Sequence, residues 1–532
     1  MAEEQFFWAE KVAAEITRQK RNLYVCEGGW SPSGHFHIGN SRPEIFTPYA
    51  VYLKLLESGF KARQVLVVDD FDPIDKIPAG IPVPKERESD FIGVPYELAE
   101  SPFKGYKSWS DFFTSQVKDV VGEFGVKLEF LSSFKSYKSG ERNELIKFSL
   151  DNSRRIVETW NRVAGTEKPL GFLPVTVLCE KCKKIMFTEA LSWDGKEVSY
   201  RCKSCGFTGS VSPFNGNAKL HWRVHWVANW IVNDVAFESG GKDHFSKGGS
   251  VDVGRALISE VFGKSPPCQT PTEFVQLGGA KISGSVGNVI TLKDWVGVAS
   301  PELLRFMFFS YKPNTAINFS FGDENFALLH ERFERAERIF YGTENAENEK
   351  IAEKIKESYA LASIGNPPGK PPVRVPFSFA VLLGQLFDPE KQLDEIIAVL
   401  AETGRSGKKL GATEKASVRQ QVARARNWVE KFAPEKFRIC FLEKLSQGVL
   451  SGISKETRLV FSGLVSGLRK AKSADEIQQL VYNAAKGSGV QPKDVFRALY
   501  LVLLGKESGP KLGSLIIALG KERCVKRLEE AA

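Results

Sequence analysis

A short β-like run, Leu23-Tyr24-Val25-Cys26-Glu27, ends in Gly28, Gly29 and a Ser/Pro/Gly turn through Gly34, and a helix is expected to follow. Gln64-Val65-Leu66-Val67-Val68 then runs continuously apolar into Asp69 and Asp70. An apolar run without alternation marks a parallel strand buried on both faces. Strand, glycine-rich turn, helix and second strand make a βαβ unit. The chain is therefore expected to build an α/β parallel sheet. At 532 residues it is too long for one small core and suggests two to four domains. With 42% hydrophobic and 26% charged residues it is neither disordered nor a disulfide miniprotein.

Other segments divide the chain. Residues 1–20 read as a helix, 71–105 as Pro-rich and irregular, and 179–212 as a cysteine-containing module. Residues 220–262 read as helix, loop and helix, and 274–285 as a strand followed by a Gly/Ser loop. From Pro301 the periodicity is mainly helical, interrupted by a Pro-rich linker over 364–376. No apolar run approaches the ~18 residues of a membrane span. The N-terminus lacks the basic start and apolar stretch of a signal peptide, so a cytoplasmic protein with no membrane partner is expected. Residues 331–532 hold 34 basic and 25 acidic side chains, which is the whole net charge of +9. All six His fall in the neutral remainder. A basic region appended to a neutral one suits a polyanion such as nucleic acid, or is a solvated face.

Three constellations carry chemistry. Ser31-Pro32-Ser33-Gly34-His35-Phe36-His37-Ile38-Gly39-Asn40 sits where a strand ends and a helix begins. A helix N-terminus offers free N–H groups to phosphate, and His37 and Asn40 can donate to charge developing on phosphorus. Alone, the segment also reads as a Gly/Ser turn with two surface histidines. Lys281-Ile282-Ser283-Gly284-Ser285 is a loop with one cation and two hydroxyls, able to clamp a triphosphate. Cys179-x2-Cys182 and Cys202-x2-Cys205 have the spacing of a zinc ribbon with four thiolates and no open position for water. Cys26, Cys268, Cys440 and Cys524 are scattered and expected to be buried thiols.

HIGN at 37–40 with the later KISGS loop resembles the HIGH and KMSKS motifs of class I aminoacyl-tRNA synthetases. SPSGHFHIGN, DDFDPIDKIP (69–78), HWRVHWVANW (221–230), GGKDHFSKGGS (240–250) and KISGSVGNVITLKDW (281–295) narrow the resemblance to the class I lysyl-tRNA synthetases, the mainly archaeal type. RARNWVEKFAPEKFR (424–438) and the segment 496–530 extend it into the helical half.

The resemblance implies a Rossmann-type catalytic domain with a zinc-containing insertion, followed by an all-α anticodon-binding region. The expected division is 1–170 and 221–300 for the two parts of the catalytic domain, 171–220 for the insertion, 301–375 for a helical connecting domain and 376–532 for the anticodon-binding region. It implies ATP and Mg2+, one structural zinc, L-lysine and tRNA(Lys), with oligomeric state left open. His37, Asn40, Lys281, Ser283 and Ser285 would be catalytic, and Ser31 and Gly39 would join His37, Asn40 and Lys281 in binding ATP. Gly29, Ser31, Trp222, Asp243 and His244 would surround the amino acid. Asp69, Asp70 and Asp243 are the acids available to a lysine ammonium. Arg419, Arg424, Arg426, Lys431 and Lys436 could track phosphates. Trp428 and Phe432, four apart, either stack on bases or form one buried helix face.

The chain also departs from the family pattern. Ile282, Gly284 and Val286 differ in the signature loop, His225 stands where Asp is expected, and Thr272 where an aromatic residue is usual. Gly105, Tyr106 and Phe112 fall where a second metal cluster would have its ligands. A synthetase of another specificity, such as glutamyl, and a non-catalytic tRNA-binding paralogue are the competing readings.

Overall fold

The structure is a computed structural model that describes residues 7–278, 280, 281, 289–407 and 409–532, with only the main chain at 280 and 281. Ser283 and Ser285, with Ile282, Gly284 and Val286, lie outside the described residues. The chain divides into two units. One holds the residues up to Trp295, Leu304–Phe319 and Glu347–Pro367, and the other Val296–Leu303, Ser320–Ala346 and Pro368–Ala532.

The strands of the first unit, in chain order, begin with β1 (Tyr24–Trp30), β2 (Ala62–Val68) and β3 (Glu129–Ser132). An inserted segment then supplies β4 (Val175–Val177), β5 (Thr188–Trp193), β6 (Val198–Cys202), β7 (Thr208–Val211) and β8 (Ala218–Leu220). The chain returns with β9 (Val235–Gly241) and β10 (Cys268–Thr272), then β11 (Val275–Leu277), β12 (Ala280–Lys281) and β13 (Ile317–Phe319). The main sheet runs β10-β9-β1-β2-β3 with every pair parallel. β1 and most of β2 are buried, as their continuous apolar runs require. The strand order reverses between β1 and β9, and the crevice beyond the carboxyl ends at such a switch point is where open α/β sheets bind ligands.

The expected βαβ unit is present. Its helix follows β1 as Ile38–Ser41, a wider π turn at Arg42–Phe46 and Thr47–Glu57. Gly28 explains how this helix lies so close to β1. A Cβ there would meet the Glu44 carbonyl oxygen at 2.0 Å. β9 differs from the sequence reading, which held only helix and loop over 220–262. The segment Val-Ala-Phe-Glu-Ser-Gly-Gly carries a glutamate among its apolar residues, yet all of it but the last glycine is buried. The indole N–H groups of Trp226 and Trp230 satisfy that glutamate, Glu238, at 2.8 and 2.6 Å.

The insertion closes on the antiparallel pair β4–β8 and carries the antiparallel sheet β5-β6-β7. The second unit is helical. Several of its helices start on side-chain caps, among them Asp323, Ser454 and Ser473, the residue types that satisfy free N–H groups. In the first unit's last piece Asn348 caps the helix Glu349–Ala362 in the same way. Trp428 is fully buried and donates to the Phe321 carbonyl at 2.8 Å, and Phe432 packs on the Phe321 ring at 4.7 Å. The buried-face reading holds for Trp428 and rules out its stacking on bases; Phe432 is half-buried and lies just past the helix end. Arg419, Arg426 and Lys436 face Glu390, Glu430 and Glu324, and Arg424 donates to the Val296 carbonyl, so this stretch is less a phosphate track than its charge suggested. Cys26 and Cys524 are buried as expected, but Cys268 is half-buried and Cys440 exposed. Among the described residues no helix is long and apolar enough to cross a membrane.

Candidate active site

His37 caps the helix after β1. Its Nδ1 accepts from the Asn40 N–H at 3.2 Å, while Asn40 Oδ1 accepts from the His37 N–H at 3.2 Å. An Nδ1 used as acceptor puts the ring proton on Nε2. The helix start is pinned to the far side of the signature loop. Ile38 N–H donates to the Ile290 carbonyl at 2.9 Å, and His37 bridges to Thr291. On the near side, Lys281 pairs with Gln276 of β11. Arg42, buried in the π turn, donates to the carbonyls of Glu273, Thr315 and Lys312 at 3.0, 2.8 and 3.0 Å. These contacts hold the helix start, the β10–β11 corner and residues 312–315 as one frame.

A cleft of about 780 Å³ opens at the carboxyl edge of the sheet, and Gly29, Ser31, His37, Gly39, Asn40, Trp222, Asp243 and His244 all line it. These are the site residues expected from the sequence, apart from the signature loop. Thr272 also lines it, and its buried hydroxyl has no partner among the described residues. A deeper cavity of about 240 Å³ continues below Gly29, Ser31, Trp222 and His244. Trp222 is not a core residue. It stacks on Trp226 with centroids 6.3 Å apart, and His244 sets its edge against both rings at 6.3 and 5.3 Å.

Four carboxyl groups line the deeper cavity: Glu44, Asp69, Asp72 and Glu238. Their protonation differs with their surroundings. Burial raises Glu44 well above the usual carboxylate range, against the hydrogen bond it accepts from the Gly29 N–H at 2.9 Å. Burial likewise pushes Glu238 up to about 7, opposed by the two indoles. Asp72 accepts from Ser31 Oγ at 2.8 Å and pairs with the buried ammonium of Lys219. Burial works against the Asp69 carboxylate too, but His225, Lys219 and Arg142 outweigh it and hold Asp69 below its ordinary value. Asp70, an alternative acid, is turned away. It accepts from Ser132 Oγ, Ser133 Oγ and the Phe134 N–H at 2.5, 3.3 and 2.6 Å, and burial raises it to about 6. Sequence reading missed Glu44, Asp72 and Glu238. Asp72 sits in the quoted DDFD segment, but nothing in the sequence brings Glu44 and Glu238 to one cavity.

The four cysteines of the insertion stand together, with all Sγ atoms within 4.8 Å of one another. The Cys179–Cys205 and Cys182–Cys202 pairs are each 3.6 Å apart. A tetrahedral ion with Zn–S of about 2.3 Å needs sulfurs about 3.8 Å apart, so the cluster fits zinc. The two knuckles repeat each other. The residue after the second cysteine, Lys183 or Gly206, has φ of 58° or 71°, and its N–H donates to the first cysteine's carbonyl at 2.9 Å.

Known proteins resemble this chain along its length. The profile of the family described as tRNA synthetases class I (K) matches residues 6–364, and that of an anticodon binding domain matches residues 451–532. A lysine–tRNA ligase of Thermococcus kodakarensis is 34% identical, covering 98% of this chain and 99% of its own. Lysine–tRNA ligases of Pyrococcus horikoshii and Methanocaldococcus jannaschii are 32% and 31% identical over the same shares. With a family profile spanning two-thirds of the chain and relatives this similar along its length, the chain belongs to the class I (K) tRNA synthetases.

Proposed function

We propose that this chain is a lysine–tRNA ligase that activates L-lysine with ATP and transfers it to the 3′-terminal adenosine of tRNA(Lys). The observation that carries the reading is the acidic cavity opening from the cleft beside the signature helix. A buried ammonium must be met by acceptors or its desolvation is too costly. Asp69 supplies an ionised one, and Trp222 and Trp226 supply apolar walls and ring faces for a cation. The same cavity repels a carboxylate side chain, which disfavours the glutamyl reading.

In the first step the lysine carboxylate attacks the α-phosphorus of ATP, and pyrophosphate leaves. In the second the ribose 2′-OH of tRNA attacks the acyl carbon, and AMP leaves. Neither step needs a protein nucleophile, so positioning and charge stabilisation do the work. His37 Nε2–H and the Asn40 amide donate to the phosphates, with Ser31 and Gly39 beside them. Lys281 adds a point charge, and Ser283 and Ser285 add hydroxyl donors. Gly29, Ser31, Trp222, Asp243 and His244 hold the amino acid. Mg2+, when bound with ATP, neutralises phosphate charge. Cys179, Cys182, Cys202 and Cys205 would hold one zinc, whose closed thiolate shell serves the fold of the insertion. The five-part domain division, the tRNA contact of the helical C-terminal region and a cytoplasmic site of action belong to the same proposal.

The test is pyrophosphate exchange into ATP with each of the 20 amino acids, with and without tRNA. Exchange with lysine alone is expected. Exchange with another amino acid overturns the specificity. No exchange, with tRNA still bound, turns the chain into a binding paralogue.

A further inference from the structure

Resting on the lysine reading, we propose that His225 is a positioning residue that fixes Asp69 as the acceptor for the substrate's side-chain ammonium, and so sets the preference for a cationic amino acid. His225 lies on the helix Trp222–Val232, one turn beyond Trp222, and is buried. Its two ring nitrogens have separate partners. Nδ1 is 2.9 Å from the Tyr137 hydroxyl, and Nε2 is 2.7 Å from Asp69 Oδ1. The Leu220 N–H donates to the same hydroxyl at 3.2 Å.

The proton order follows from these contacts. An ionised carboxylate can only accept, so Nε2 carries the ring proton and donates it to Asp69. In the neutral ring Nδ1 is then an acceptor and takes the Tyr137 hydroxyl proton. Burial, with Lys219 and Arg142 adding to it against Asp69, lowers His225 to about 4, so the ring is neutral at pH 7. The Asn229 amide nitrogen lies 3.5 Å from Nε2, at the long limit of a hydrogen bond, and yields to the Asp69 contact.

A neutral donor suits Asp69. It orients the carboxylate without cancelling its charge, as a paired cation would. Of the other carboxyls on the cavity, Asp72 is in direct contact with Lys219, and burial pushes Glu44 and Glu238 toward the neutral form. Lys219 and Arg142 favour the charged form of Asp69 as well, but its direct partner is the neutral His225, so it is the ionised carboxylate best placed to answer an entering ammonium. It sits directly past the end of β2, and its N–H donates to the Trp30 carbonyl at 2.9 Å, so its main chain is fixed as well.

The experiment compares His225→Gln, His225→Asn and His225→Leu in lysine-dependent pyrophosphate exchange, with L-norleucine as the neutral analogue. Gln can place an amide donor where Nε2 stands, whereas Asn is too short and Leu has no donor. Gln is expected to keep KM for lysine and the lysine-over-norleucine preference within about threefold. Asn and Leu are expected to raise KM for lysine about tenfold or more, with a matching loss of preference and KM for ATP unchanged. Equal behaviour of Gln and Asn overturns the inference, and so does a rise in both KM values, which would mean a packing role. If Asn or Leu fails to fold, the other is set against Gln. No exchange with lysine by the unaltered chain overturns the ligase reading, and this inference with it. Normal exchange with His225 variants that behave alike overturns only this inference.

Discussion

Gly28 and His330 show how a single residue can be fixed by what touches it. Gly28 has no room for a methyl group against the Glu44 carbonyl. Gly28→Ala must push the helix start off β1, and the strain falls on main chain that carries His37 and Glu44. We expect a loss of about 3 kcal/mol, the upper end of overpacking costs, read from urea unfolding, together with weakened ATP-dependent exchange. His330 is stacked on Phe377 at 3.9 Å, and its Nε2 has no partner among the described residues. Burial, with Arg374 adding to it, lowers it to about 3 from 6.5. The unfolded chain therefore binds a proton below pH 6.5 that the folded chain refuses until about pH 3. Its share of stability is full above pH 6.5 and is lost as pH falls. His330→Phe removes that penalty. Between pH 7 and pH 5 the variant should gain about 2 kcal/mol relative to the unaltered chain, measured as the change in the difference between their urea unfolding energies.

Elements were legible where a local pattern decided them. The βαβ unit, the capped signature helix and the paired cysteine knuckles each lie within a few residues of their own signal. β9 was not legible, because Glu238 breaks its apolar run and long-range partners, the indoles of Trp226 and Trp230 with the Gln269 side chain, make that residue acceptable in the sheet. The acids of the cavity come from three places in the chain, Glu44, the segment Asp69–Asp72 and Glu238, so their convergence is a property of the topology. The insertion is the clearest element-scale case. Its strands β5 to β7 are short and largely half-exposed or exposed, and one of the four clustered sulfurs, that of Cys202, ends β6. Such a small sheet has little core, and a bound ion is expected to supply what burial does not. The purified chain should carry one zinc by elemental analysis. Cys179→Ser with Cys202→Ser should abolish it and open hydrogen exchange across 179–211, while β1 and β2 stay protected.

At the scale of the whole molecule, chemistry and charge are separated along the sequence. The described site residues lie in the neutral region, and the net charge of +9 belongs to residues 331–532. Several cations of that region are already paired, so its attraction for a polyanion is the field of many partly screened charges rather than one patch. Two consequences can be measured apart. Affinity for tRNA should fall steeply with salt, with log K linear in log salt, because counterions released from phosphates drive it. Lys281→Ala should abolish pyrophosphate exchange, yet leave tRNA affinity and its salt slope within about twofold, since one charge among many is lost. Filter binding and exchange on the same preparation distinguish the outcomes. A parallel loss of tRNA binding would mean that the signature loop itself carries the RNA contact, and that the neutral and basic regions do not divide the work.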